Sequence, residues 1–177
     1  MCAKSVPILV VLSTVLTGAG ATHAQQAPPA NPLDAVPDKM PFDVPYGAPI
    51  SLERASMAIA ATLTEARKHE WKLNIAVVDS GGNLVAFQRM DGAQLASIQI
   101  SEHKARAAVS FRRETKVFEN AIQVNNSSYV MTLDGVIGSR GGIPLVEGGK
   151  IVGAIGCSGG TGSQDEVACK AGAAPLK

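Results

Sequence analysis

Apolar residues recur along this chain with two different periods, and the switches between them mark its elements. From Ser51 the positions Ala55, Ile59, Leu63 and Ala66 recur at helical spacing, with Met57, Ala58 and Ala61 widening the face. Ser51, followed by Glu53, is placed to cap this helix, which runs to about His69, and Trp71 covers its end. Leu73 to Val78 then reads as a strand, Asp79-Ser80-Gly81-Gly82-Asn83 as a turn and Leu84 to Met90 as the returning strand. Asp79 is suited to bonding the amides of that turn. Leu95 to Arg112 is a second helix, apolar at Ala96, Ile100, Ala107 and Phe111 and basic at His103, Lys104 and Arg106. Thr115 is placed to cap a short helix from Lys116 to Ile122. From Val124 to Ser139 the pattern is mixed, and Gly135, Gly138, Gly141 and Gly142 mark a long loop that a ligand can approach.

Gly141 to Gly172 organises the rest. Two apolar runs, Ile143–Val146 and Ile151–Cys157, flank the turn Glu147-Gly148-Gly149-Lys150. Ser158-Gly159-Gly160-Thr161-Gly162 then bends the chain into a helix capped by Ser163 or Thr161, with Asp165 and Glu166 in its first turn, where they complement the helix dipole. Two readings of this bend stand side by side. It is a ligand cradle, with Gly159 and Gly160 letting an anion reach the helix N-terminus, or a tight turn closing a sheet edge. No Lys-Ser/Thr follows the glycines and Gly-x-Gly-x-x-Gly does not fit, so neither nucleotide motif is present. Hairpins rather than βαβ repeats predict an α+β fold, a mainly antiparallel sheet with helices packed on it.

Composition narrows the class. The 177 residues suit one domain, and 46% hydrophobic with only 4% aromatic content makes a core of Ala, Val, Ile and Leu. A net charge of +1 without a basic stripe argues against nucleic acid as a partner. Lys4, the apolar run from Val6 to Ala21 and Thr22-His23-Ala24 have the form of a signal peptide, residues 1–24, too short for a membrane span. A periplasmic or secreted protein is the expectation. Residues 25–49, with seven prolines from Pro28 to Pro49, form an extended arm or linker before a domain spanning 50–177. Export leaves Cys157 and Cys169, free to pair in an oxidising compartment or to stand as two buried thiols.

Candidate chemistry is sparse. Ser158 lacks a nucleophile elbow, Asp165 and Glu166 are adjacent on a helix and point apart, and the histidines lack zinc spacing. No catalytic set emerges. Arg89 and Asp91 form an ion pair or line a pocket; Lys104 joins Arg89 in binding a carboxylate or sits on a solvated helix face.

Several ordered motifs carry a resemblance: Ile75-Ala76-Val77-Val78-Asp79-Ser80-Gly81-Gly82-Asn83-Leu84, Arg89-Met90-Asp91-Gly92-Ala93, Lys104-Ala105-Arg106, Gly141-Gly142-Ile143-Pro144-Leu145 and Gly153-Ala154-Ile155-Gly156 through Gln164-Asp165-Glu166. Together they resemble the GlcG/HbpS family over about Ser51 to Leu176. The resemblance implies a profilin-like α/β/α sandwich around a five-stranded antiparallel sheet, assembly into a homo-oligomer such as an octamer, and haem binding linked to haem or redox sensing. Haem iron needs an axial donor. The chain beyond the signal offers His69 and His103, with Tyr46, Tyr129 and Met131 as weaker candidates, and Arg89 and Lys104 for the propionates. A binding protein is the favoured reading. An enzyme acting on a small carboxylate or degrading haem at Arg89, Lys104 and residues 158–162 is the alternative, and an oligomeric accessory protein a third.

Overall fold

A computed structural model describes residues 34–40 and 42–176. The signal-peptide reading lies outside the described residues. Residues 39–177 form one compact unit. Its elements run α1 (Leu52–Lys68), β1 (Asn74–Asp79), β2 (Leu84–Arg89), α2 (Ala96–Ser110), α3 (Lys116–Gln123), a 3-10 turn (Ser128–Thr132), β3 (Gly142–Glu147), β4 (Lys150–Ser158) and α4 (Gly162–Ala173). Among the described residues, no helix is long and apolar enough to cross a membrane.

The strands form one antiparallel sheet in the order β2-β1-β4-β3. It has four strands, not five. β1 stops at Asp79, opposite Gly153, and leaves the start of β4 uncovered on that side. Residues 45–50 fill the space: Ile151 donates to the Pro45 carbonyl, and Gly47 and Ile50 donate to Ile151 and Val152. Pro45 and Pro49 have no N–H, so this stretch makes a single parallel bridge at Tyr46 instead of a fifth strand. The last residues of the proline-rich stretch thus lie on the chain's own sheet.

Both faces of the sheet are covered, because β1 and β4 carry buried residues at alternate positions on either face. Ile75, Val77, Ile155 and Cys157 point to the layer of α1 and α4, and join Ala55, Ile59, Leu63, Ala168 and Leu176 in the larger core. Ala76, Val78 and Ala154 point the other way and meet Ala105, Ala108 and Val109 of α2. That second layer is thin because its residues are small. Gly156 has no room for a side chain: a Cβ there would collide with the Ser101 carbonyl and stand 2.6 Å from the Ala105 nitrogen. Cys157 and Cys169 are joined by a disulfide, with Cα atoms 5.8 Å apart and both residues fully buried. It ties the end of the central strand to α4.

Local chemistry shapes the ends of these elements. Ser51 caps α1 through the Arg54 amide, and the Asp79 carboxylate accepts from the Gly81 and Asn83 amides at 2.8 and 2.9 Å. Those amides hold its carboxyl below the usual range, although burial alone would raise it. Thr115 does not cap α3 with its side chain. Its Oγ1 accepts from the Gly142 amide at 2.9 Å and anchors the start of β3, which a buried hydroxyl needs more than the helix does.

Candidate functional site

The C-terminal end of α1 lies beside the end of β2, and between them opens a cleft of about 400 Å3. The helix stops because Glu70 turns left-handed (φ 57°), so that the Trp71 amide returns to the Ala66 carbonyl. This reversal swings Trp71 and Lys72 across the cleft. From the sheet side come Gln88, Arg89, Met90 and Asp91, fixed where the Met90 amide bonds the Leu73 carbonyl at 3.0 Å. Gly92, at φ 76°, takes the next turn, and a Cβ there would stand 3.3 Å from Lys72 Nζ. Leu63, Trp71 and Met90 give the cleft an apolar body. Arg67, Lys72 and Arg89 set three cations around it, against the carboxylates of Glu70 and Asp91. Arg89 donates to the Ala93 carbonyl at 3.1 Å, and it lines the cleft with Asp91.

His69 directly precedes the cleft-lining Glu70 and Trp71. Its ring stacks on Trp71 with centroids 4.4 Å apart and an interplanar angle of 17°. Nε2 lies 3.2 Å from Glu65 Oε1, leaving Nδ1 as the free ring nitrogen. Trp71 and Arg89, distant in sequence, thus line one cleft, and His69 is tied to it through its stack on Trp71. His103 is elsewhere, with Nε2 3.3 Å from the Gly135 carbonyl oxygen. Tyr46 is committed to α2, its hydroxyl donating to the Val109 carbonyl at 2.9 Å. Tyr129 and Met131 are exposed in the 3-10 turn. Among the described residues, no three His, Cys, Asp or Glu side chains converge on a bare metal ion.

Lys104 does not join Arg89. It is 1% exposed, and its ammonium donates to Asp165 Oδ2 at 2.7 Å and to the Cys157 carbonyl at 3.1 Å. Asp165 Oδ1 in turn accepts from the Gly160 amide at 3.0 Å. Burial pushes the Asp165 carboxyl up, and Lys104 with the Gly160 and Gly159 amides pulls it back. Asp165 is therefore the counter-ion of a buried lysine as well as the acid in the first turn of α4.

The same bonds answer the question about the glycine-rich bend. Gly160, Thr161 and Gln164 amides at the start of α4 are taken by Asp165, Gln164 and Thr161 side chains, a self-contained capping box. Gly159 is pressed against the backbone of Lys72 and Leu73, where a Cβ would strike the Lys72 carbonyl. Gly159 therefore supports the cleft from behind, and the bend is a turn that locks α4 to the sheet. Glu166 lies in a further network, with Lys170, Lys116 and Arg140 at 2.6, 3.1 and 3.3 Å. Sequence reasoning passed over Arg67, Glu70 and Lys72 as cleft residues, since each reads as an ordinary polar residue at a helix end. It also passed over Asn74, fully buried, whose Oδ1 has no partner among the described residues.

With this geometry in hand, comparison with known proteins decides the family. The model of the family described as "Haem degrading protein HbpS-like" matches residues 50–174. The chain belongs to the HbpS-like family. Protein GlcG of Escherichia coli (strain K12) is 43% identical over 109 residues, covering 62% of this chain and 81% of GlcG. Among solved structures, a double mutant of Streptomyces reticuli HbpS superposes with a TM-score of 0.68 at 30% identity, covering 85% of this chain and 99% of that one. A structure described as a PduOC:Heme complex superposes with a TM-score of 0.66 at 22% identity, covering 73% of this chain and 96% of that one, which shows a shared fold. The antiparallel sheet with helices on both faces is thus the frame that this chain shares with HbpS.

Proposed function

We propose that this protein is an exported, oligomeric haem-binding protein, and that the cleft between α1 and β2 receives the haem. The observation that carries the reading is the arrangement around Trp71: an apolar floor, three cations that outnumber the carboxylates of Glu70 and Asp91, and the His69 imidazole stacked on Trp71. These residues fit the group. Arg67, Lys72 and Arg89 would bind the propionates, Leu63, Trp71 and Met90 would contact the macrocycle, and His69 would offer Nδ1 as the axial donor. Bound haem supplies a redox-active iron. The protein's part is to orient it, pair its carboxylates and limit its exposure to water. The HbpS-like family and the haem complex of a protein with the same fold support this reading. The Cys157–Cys169 disulfide supports export, because such bonds persist in oxidising compartments. Exposed Val124, Tyr129, Met131 and Leu133 support an assembly, an octamer in our proposal. The alternative of a carboxylate-processing centre built on Arg89, Lys104 and residues 158–162 has less support, since Lys104 is buried in its own ion pair.

The test is a haemin titration of the mature protein with His69→Ala, His103→Ala and Arg89→Gln in parallel, followed in the Soret region. The expected result is a saturable Soret shift that His69→Ala abolishes, Arg89→Gln weakens and His103→Ala leaves unchanged. A missing shift, or one indifferent to His69, refutes the proposal. Analytical ultracentrifugation of the same samples gives the assembly size.

A further inference from the structure

A second cavity, of about 470 Å3, lies against the opposite edge of the sheet, where the end of α2 meets β3 and α4. Its floor is apolar: Ile143, Pro144 and Val146 of β3, Ile151 of β4 and Ala173 of α4. Its rim carries four charges, and they divide unequally. Glu114 and Lys170 pair at 3.0 Å, and Lys170 also binds Glu166 at 2.6 Å. Arg112 and Arg113 have no carboxylate within salt-bridge distance among the described residues. Arg112 reaches the Val44 carbonyl only at 3.4 Å, and Arg113 spends its Nε–H on the Phe111 carbonyl at 2.9 Å.

The two arginines are consecutive, half-buried and held in place, Arg112 with its guanidinium 5.8 Å from the Tyr46 ring centroid. Arg113 lies against the face of Phe42, its central carbon 3.0 Å from the ring centroid. Arg112 occupies a left-handed backbone position, φ 54°, which a branched-at-Cβ or ordinary side chain enters only at a cost. Glycine would close α2 there more easily, yet an arginine stands at the mouth of a cavity. Burial lowers the readiness of Arg113 to carry its charge, and the neighbouring Arg112 lowers it further. An anion between them relieves both effects. Planar guanidinium groups match a carboxylate by paired N–H donors. The floor beside them has no polar side chain to satisfy, so the rest of the ligand is apolar.

We propose that this cavity is a binding site for a small amphipathic carboxylate, its carboxylate held by Arg112 and Arg113 and its aliphatic or aryl body on Ile143, Val146 and Ile151. The volume falls within the range of small-molecule pockets. The site shares no residue with the cleft beside Trp71, so it stands or falls independently of haem.

The probe is sodium octanoate, titrated into the full mature protein by calorimetry, with octanol as the neutral control. Three variants decide the outcome: Arg113→Gln, Arg112→Gly and Arg89→Gln. Arg112→Gly suits the left-handed backbone, so it removes the charge while easing the turn. The expected result is saturable octanoate binding, at least tenfold weaker in Arg113→Gln and in Arg112→Gly, unchanged in Arg89→Gln, and at least tenfold weaker for octanol. Absence of saturable binding overturns the proposal. So does binding that persists in both arginine variants, binding lost in Arg89→Gln, or octanol binding as tightly as octanoate.

Discussion

Replacing Lys104 with methionine removes a cation from the interior while keeping the length of its side chain. What remains is an Asp165 carboxylate, 3% exposed, with backbone amides as its partners. Breaking a buried ion pair from one side costs about 3–5 kcal/mol. The amides of Gly160 and Gly159 still face Asp165, which places the loss near the lower end, about 3 kcal/mol. About 1 kcal/mol of it belongs to the lost bond to the Cys157 carbonyl and is independent of pH. The rest depends on pH with a definite sign. Burial already raises the Asp165 carboxyl and Lys104 holds it down, so its removal raises it further. An acid raised in the folded state keeps a proton that the unfolded chain surrenders above about pH 3.9, so stability falls as pH rises through that window, by at most about 1.4 kcal/mol per unit. The assay is urea unfolding followed by Trp71 fluorescence at pH 4 and pH 8. The deficit relative to wild type should be about 1 kcal/mol at pH 4 and about 3 kcal/mol at pH 8. Asp165→Asn added to Lys104→Met keeps an acceptor for Gly160, removes the charge, and should recover about 2 kcal/mol at pH 8. A Lys104→Met variant within about 1 kcal/mol of wild type at pH 8, or one with equal deficits at both pH values, refutes the reasoning.

Three further outcomes follow from the same structure. Cys157→Ala with Cys169→Ala opens a link across 12 residues and should cost about 3 kcal/mol by loop entropy, read as a lower urea midpoint; an unchanged midpoint would contradict it. Gly156→Ala drives a methyl into the Ser101 carbonyl on a central strand and should cost about 3 kcal/mol or more, whereas Gly148→Ala, in open space at φ 53°, should cost about 1 kcal/mol; thermal melts of the pair check the order. Burial alone would raise the Glu166 carboxyl, but Lys170 and Lys116 outweigh it and hold it low. Its contribution is therefore present above the ordinary glutamate range and lost as pH falls below it, so Glu166→Gln should flatten the acid limb of stability against pH.

Much of this architecture is written in short-range pattern. The 3.6 period places α1 and its buried face, and Gly82, Gly148 and Gly149 place both hairpins, because turns with positive φ select glycine. The four-stranded order was less accessible. The pattern marks four strands and the resemblance implies a fifth, but residues 45–50, where Pro45 and Pro49 lack N–H groups, add only one bridge to the sheet. Lys104 shows a signal that was present and underread. Ser97, Ser101, Lys104 and Ala108 fall at spacings of four, three and four, one helix face, and all are buried. Small residues on that face announce close packing, and a lysine among them demands a buried acid.

By itself the sequence determined the elements, the two-layer covering of an antiparallel sheet, the family and the pair of cysteines able to bond. These depend on neighbours in sequence, or on motifs that survive as strings. Only the tertiary structure decided which charges meet. It sent Lys104 to Asp165 and away from Arg89, paired the Gly160, Thr161 and Gln164 amides with side chains of their own segment, and brought Trp71 and Arg89 to one cleft with His69 stacked on Trp71. Partner choice for a charge is set by distance and desolvation in the folded core, and neither quantity exists until α2 and α4 have packed against β4.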